Sequence, residues 1–424
     1  MLRKSIATVG AVAFASLLVG TGSAAAEGSH AVEGRWQPSV AVAGVNAESG
    51  AAAVPGHRFS AMSPTRVLDT RNAVGVPTTT PVGQGGVISF SLAGVIPTQA
   101  NAVVLNVTAT ETTANTYVTA WANGLNQPNT SNLNIAAGET RPNSVTVLVG
   151  IDGKVNLFNH LGSTHLIADL AGFYFEPNGE IAVPGAALYN TTSPVRLLDT
   201  RNTGSVGHAG VVTVDFTGKV PADATSVNIN LTGLNANLST YVTAWPAGAV
   251  RPTASSLNLV PGKITPNNVT VRLSADKKVS FYNNSGKVDL LVDLAGSYAE
   301  AAGALFYPTL PGRAYDTRDD QIPVFADEQF DLYFPEAGSH KAFVTNVTGI
   351  LPTANTFISV FPSGQSRPNV SVLNLAPKQI SANAAIVGLG PYYHPDDNAT
   401  YPAFQIYNLA GETDLVIDTF GYFE

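Results

Sequence analysis

Charged side chains are scarce in this chain, 12% of 424 residues, so their placement carries information. Several fall in one string, Arg66-Val-Leu-Asp-Thr-Arg71, which returns as Arg196-Leu-Leu-Asp-Thr-Arg201 and Arg313-Ala-Tyr-Asp-Thr-Arg318. A carboxylate between two guanidinium groups could serve as a catalytic base or ligand group, or it could pin a strand through ion pairs. Residues two apart share one face of a strand, which sets Asp69 beside Arg71, Asp199 beside Arg201 and Asp316 beside Arg318. Recurrence of the string in a charge-poor chain favours the structural role. Asp169, Asp293 and Asp418 occur in apolar runs such as Leu166-Ile-Ala-Asp-Leu170, where an unpartnered carboxylate would be costly. Each is expected to meet an arginine of its own copy's string and to clamp a first strand to a last one.

Aromatic and amide side chains offer a second kind of chemistry. Tyr117 and Trp121 share their spacing with Tyr241 and Trp245 and with Phe357 and Phe361, which places each pair on one strand face. Exposed, Trp121 and Trp245 would form a platform for sugar rings; buried, they are sandwich core. Asn106, Asn134 and Asn159 recur with their counterparts where strands disfavour asparagine. They could ligate a metal or bond a sugar, but such side chains more often satisfy backbone groups. The segment Gly390-Pro-Tyr-Tyr-His-Pro-Asp-Asp-Asn-Ala-Thr-Tyr401 replaces the short Ile151-Asp-Gly-Lys154 and Ala275-Asp-Lys-Lys278 connections. A long loop at a sandwich end is a place for binding, and Tyr392, Tyr393, His394 and Tyr401 are its candidates. The alternative is a loop that covers a sheet edge.

Catalytic signatures are poor. His30, His57, His160, His165, His208, His340 and His394 take no equivalent positions across the copies. No nucleophile elbow, zinc-protease helix motif, phosphate loop or calcium loop is present. The Asp-Thr-Gly string of aspartic proteases has Arg in its third place here. With no cysteine, thiol nucleophiles, disulfides and thiolate metal sites are excluded. No catalytic residue, metal or cofactor is expected.

Five landmarks recur in order and define the elements that carry these residues. After the Asp-Thr-Arg string come Asn106, Asn230 and Asn346; then Tyr117–Trp121, Tyr241–Trp245 and Phe357–Phe361. Leu133-Asn134, Leu257-Asn258 and Leu373-Asn374 follow, and then Asp169-Leu-Ala-Gly172, Asp293-Leu-Ala-Gly296 and Asp418-Thr-Phe-Gly421. They divide the chain into domains at 61–178, 185–300 and 304–424. Val103, Leu105 and Val107 alternate with polar or outward neighbours, as do Val145, Val147 and Val149. Strands are predicted at 66–71, 86–92, 102–110, 116–122, 131–135, 144–150, 154–160 and 164–175, with no helix beyond one turn. Short antiparallel strands in this number predict tandem β-sandwiches, jelly-roll or Ig-like. A six-bladed propeller with two blades per copy is the alternative.

The run from Pro64-Thr-Arg-Val-Leu-Asp-Thr-Arg71 to Asp169-Leu-Ala-Gly-Phe-Tyr174 resembles a repeat of exported actinobacterial proteins, found there in tandem or beside unrelated extracellular modules. The third copy departs from it most, with Phe361 for Trp and Ala382 where the others have Pro142 and Pro266. The resemblance implies a secreted β-rich surface module and no particular activity.

The N-terminus fits that expectation. Arg3 and Lys4, the apolar run from Ile6 to Val19 and Ser23-Ala24-Ala25-Ala26 read as a secretory signal cleaved before Glu27. Residues 6–19 are too few for a membrane span, and 27–60 read as a flexible tether with Trp36 its one large apolar group. A net charge of −8 gives no electrostatic case for nucleic acid. The sequence thus predicts a secreted, non-catalytic, surface-associated binding or structural module. Extracellular glycan, the cell envelope or a surface protein are its candidate partners. A lectin-like cell-wall binder and a hydrolase with an unrecognised site are the alternatives.

Overall fold

The computed structural model describes residues 30–35, 55–177 and 183–424. The predicted signal at 1–26 and Trp36 lie outside them. A short strand, β1 (Ala31–Glu33), comes first. Copy one then forms β2 (Arg58–Asp69), β3 (Gly86–Ser91), β4 (Ala100–Thr110), β5 (Thr116–Ala122), β6 (Leu133–Ile135), β7 (Arg141–Leu148), β8 (Lys154–Asn159) and β9 (His165–Phe175). Copy two repeats them as β10 (Leu188–Asp199), β11 (Val211–Asp215), β12 (Ala224–Leu234), β13 (Thr240–Pro246), β14 (Leu257–Leu259), β15 (Thr265–Arg272), β16 (Lys278–Asn283) and β17 (Asp289–Ala299). Copy three comprises β18 (Phe306–Asp316), β19 (Glu328–Tyr333), β20 (Ala342–Ile350), β21 (Thr356–Pro362), β22 (Leu373–Leu375) and β23 (Ile380–Gly388). It ends with β24 (Gly390–His394), β25 (Ala399–Asn408) and β26 (Asp414–Phe423). A helical turn, α1 (Thr317–Asp320), follows β18.

In copy one the sheets run β2-β9-β4-β7 and β3-β8-β5-β6, and copies two and three repeat that order. The first, eighth, third and sixth strands therefore face the second, seventh, fourth and fifth, which is a jelly roll. Ig-like order would group the strands differently, and face-to-face pairs of sheets are not propeller blades; both alternatives fall. Period-2 alternation gives each copy its own core: Val103, Leu105 and Val107 of β4 meet Val118 and Ala120 of β5 across copy one. Glycine sets the fit of first strand on last. A Cβ at Gly172 would stand 2.4 Å from the Phe59 ring, and Gly296 and Gly421 leave the same space for Tyr189 and Phe306.

The copies are not beads on a string. They close into a ring about a pseudo-threefold axis, where the edge strands β7, β15 and β23 pack against one another. At one end of the axis six rings form a shared core: Phe59 and Tyr174, Tyr189 and Tyr298, Phe306 and Phe423. Each copy touches the next in turn: Phe59 lies 4.3 Å from Tyr298, Tyr189 4.4 Å from Phe423, and Phe306 4.0 Å from Tyr174. The Tyr174 and Tyr298 hydroxyls bond each other at 2.6 Å; copy three has Phe423 at the equivalent place, and the remaining hydroxyl of this core, on Tyr189, donates to Ala295 O at 3.3 Å. Backbone bonds from Phe59 to Ala187, Tyr189 to Ala304 and His57 to Phe306 complete this end.

Midway along the axis, asparagines join the copies. Asn106 donates to Ser255 O and accepts from Asn267; Asn230 donates to Ser371 O and accepts from Asn383. Asn346 closes the ring by donating to Ser131 O and accepting from Asn143. The Oδ1 atoms of Asn267, Asn383 and Asn143 then accept the backbone N–H of Ser144, Asn268 and Ala384 on the neighbouring edge strand. Edge strands expose unpaired backbone groups, and here an amide from the next copy satisfies one such group on each.

The stretch read as a tether at 27–60 is structured in the parts described. β1 pairs in parallel with β19 of copy three, Arg35 donates its N–H to Ala314 O and its side chain meets Asp319 at 3.2 Å. Residues 55–60 belong to the axis, with Gly56 against Leu305 and β2 beginning at Arg58.

Candidate functional site

The Arg-x-x-Asp-Thr-Arg segments sit where β2, β10 and β18 end beside β9, β17 and β26. Register places Arg66 opposite Asp169, Arg196 opposite Asp293 and Arg313 opposite Asp418. Arg66 donates to both oxygens of Asp169, at 2.5 and 3.2 Å, and to Asp69 at 2.8 Å. Arg196 holds Asp293 with two bonds, at 2.7 and 2.9 Å. Arg313 reaches Asp418 at 2.6 Å and Asp316 at 2.7 Å. The bridging cation is thus the first arginine of each string. Arg71, Arg201 and Arg318 bind the string's own aspartate, and not through a shared strand face. The strand stops at the aspartate, whose carboxylate caps the turn by accepting the backbone N–H of the arginine two residues on.

Charge balance differs within each clamp. Burial opposes ionisation of Asp69, but the Arg71 side chain and N–H outweigh it and hold the carboxyl well below the usual range. The Arg201 hydrogen bond does the same for Asp199. Burial pushes Asp169 and Asp293 upward against their arginines. Asp418 is pushed up to about 6, chiefly by burial; only its Oδ1 meets Arg313, and Oδ2 has no partner among the described residues.

Trp121 and Trp245 do not form a platform. Each is 7% exposed. Both lie on the sheet face away from Val118, Ala120, Val242 and Ala244, and so outside the sandwich core as well, because the following loop covers that face. Each indole N–H donates to that loop, Trp121 to Leu125 O at 3.0 Å and Trp245 to Ala249 O at 3.1 Å. Asn159 is also fully engaged: it donates to Val82, Gly83 and Gly162 carbonyls and accepts from Thr116.

The insert of copy three is not an open loop. It is a hairpin, β24 paired with β25, with Tyr392 opposite Tyr401. Tyr392, His394 and Tyr401 face one way and pack on Tyr333, at ring distances of 5.2, 5.0 and 5.6 Å. These three are half-buried. Tyr393 faces the other way, is 57% exposed, and donates its hydroxyl to Asn398 at 3.0 Å. At the turn Asp397 accepts from Tyr401 and pairs with His394 at 3.2 Å. The sequence located this feature but not the role of Tyr333, which lies far away on β19.

No family model matches the chain, and no curated protein is similar to it in sequence. Solved structures similar to it include the N-terminal CBM22-1-CBM22-2 tandem domain of Paenibacillus barcinonensis Xyn10C, at 11% identity and a TM-score of 0.20. That match covers 57% of this chain and 99% of that one. A triple jelly-roll protein of an archaeal virus matches at 9% identity and a TM-score of 0.19, over 87% of this chain and 89% of its own. A Sulfolobus Turreted Icosahedral Virus chain matches at 11% and 0.17, over 86% and 91%. The jelly-roll assignment rests on strand order, not on these likenesses. Among the described residues, no helix is long and apolar enough to cross a membrane.

Proposed function

We propose that the protein is an exported, non-catalytic binding module. In this reading the closed three-copy body is a rigid mount, and the β24–β25 hairpin is its recognition element. One observation carries the proposal: copies one and two complete the same sheet with a short turn, so the body does not require the extra strand. Tyr393 leads the contact, backed by a packed aromatic face that keeps the hairpin from paying much ordering entropy on binding. An aromatic, hydroxyl-bearing tip suits an extracellular glycan or cell-envelope surface, since tyrosine presents an apolar body and a polar end together.

The test is attachment to cells and to insoluble polysaccharides. Tyr393→Ala should weaken attachment and leave the melting temperature unchanged. Tyr392→Ala with Tyr401→Ala should lower the melting temperature, because Tyr333 loses its cover. If both variants, and a variant with Tyr392–Tyr401 trimmed to an Asp-Gly turn, attach as the unaltered protein does, the hairpin is structural.

A further inference from the structure

The end of the axis away from the six-ring core is hollow. Along β23, Ile386 lies in that core, Asn383 in the amide ring, and Ile380 at the opposite mouth. There the connections entering β7, β15 and β23 converge on a cavity of about 570 Å³, with walls from all three copies. That volume is in the range of small-ligand sites.

The three connections are not equivalent at this mouth. Copy one supplies Glu139, which is already engaged: it accepts the Ala136 N–H and faces Arg141 at 3.4 Å. Copies two and three supply Lys263 and Lys378, and neither ammonium has an ion pair or hydrogen bond among the described residues. Asn115 and Asn134 accept from Ala137 and Ser131 through their oxygens, and their Nδ2 donors have no partner among the described residues. Tyr117 stacks on His160 at 4.4 Å and adds a flat ring surface to the same wall. The free groups are thus mainly donors and cations beside an aromatic face, and the matching ligand is rich in acceptor oxygens and negatively charged.

We infer that this axial cavity binds a short acidic-sugar segment, with Lys263 and Lys378 taking its anionic groups, the asparagine amides its hydroxyl oxygens, and Tyr117 its ring face. The chain's net charge of −8 opposes a densely charged polyphosphate or nucleic acid and tolerates spaced carboxylates or sulfates. The site is separate from the hairpin and does not depend on the hairpin's function.

Calorimetric titration of the full chain tests this at low and high salt. The probes are oligogalacturonates, sulfated heparin fragments, neutral chito-oligosaccharides and phosphatidylglycerol vesicles. At least one acidic sugar should bind, with affinity falling as salt rises. Lys263→Glu with Lys378→Glu should weaken it at least tenfold at an unchanged melting temperature, and Tyr393→Ala should leave it unaltered. The inference is overturned if no acidic sugar binds, if neutral sugars bind equally well, if the lysine variant binds normally, or if only the vesicles bind.

Discussion

Within each copy the first and last strands are joined by charge, whereas the copies are joined to one another by neutral amides. The clamp carboxylates Asp169, Asp293 and Asp418 are 2% exposed or less, but their arginines keep 20–30% of the side chain in contact with solvent. A guanidinium that reaches water while holding a buried carboxylate lowers the desolvation cost of the pair. At the axis no such route exists: Asn143, Asn267 and Asn383 are at most 1% exposed. An amide costs less to bury than an ion and supplies both donor and acceptor. Each region therefore uses the polar group that its access to water permits.

Exchanging the two chemistries should break this division most severely. Asn267→Asp puts a carboxylate at the axis, where it can still accept from Ser144 N–H. It would then oppose the oxygens of Asn106 and Ser256, to both of which Asn267 donates. Asn106 could turn its amide only by abandoning Ser255. The expected loss is about 3–5 kcal/mol or more, as for an uncompensated buried charge. Thermal unfolding should change from one transition to separate ones, with a larger hydrodynamic radius before the first. The reciprocal Asp293→Asn should cost less, about 1.5–3 kcal/mol, the worth of hydrogen bonds to a charged group. Equal losses from the two exchanges would refute the distinction.

A smaller effect sharpens the comparison inside the clamps. Asp69 receives bonds from Arg66, Arg71 and Asn72 and its side chain is 2% exposed. Among the described residues Asp199 receives only Arg201, and its side chain is 15% exposed. Asp69→Ala should cost about 1.5–3 kcal/mol, and Asp199→Ala about 0.2–1 kcal/mol, as for an exposed pair. Denaturant midpoints of the two variants decide it; equal shifts would mean that the missing Arg196–Asp199 link forms in solution.

How far the sequence disclosed these regions depends on whether their partners are local. Strand positions were legible from the alternation of Val103, Leu105 and Val107, and the arginine–aspartate strings from their recurrence. The amide ring was not, because Asn106 reads as a satisfier of nearby backbone groups, whereas its partners Ser255 and Asn267 are 149 and 161 residues away, and Asn143 belongs to none of the recurring landmarks. Phe59 precedes the first landmark, so its place in a shared core was assigned to a tether. Spacing put Tyr117 and Trp121 on one strand face without saying which way it points; a face is exposed only if no loop crosses it, and loop paths leave no periodic trace.

A further effect of about 1 kcal/mol concerns pH and isolates one carboxylate. Burial raises Asp418 to about 6, above the ordinary value near 3.9. The folded state thus holds this proton more tightly than the unfolded chain. Stability from the protonated form is full below about pH 4 and is lost as pH rises through 6. Asp69, Asp199 and Asp316 have lowered values, so their contribution is lost only as pH falls below the ordinary carboxylate range. His57 and His340 are lowered by burial and oppose Asp418 on the way down in pH. The informative quantity is therefore a difference between the unaltered protein and Asp418→Asn, measured by urea unfolding at pH 5 and 7. Arg313 keeps Asp316 in the variant, so the fold persists. Relative to the variant, the unaltered protein should be more stable at pH 5 than at pH 7 by about 1 kcal/mol. A difference that does not change with pH would mean that Arg313 neutralises Asp418 fully, and that copy three's clamp is as well paired as those of copies one and two.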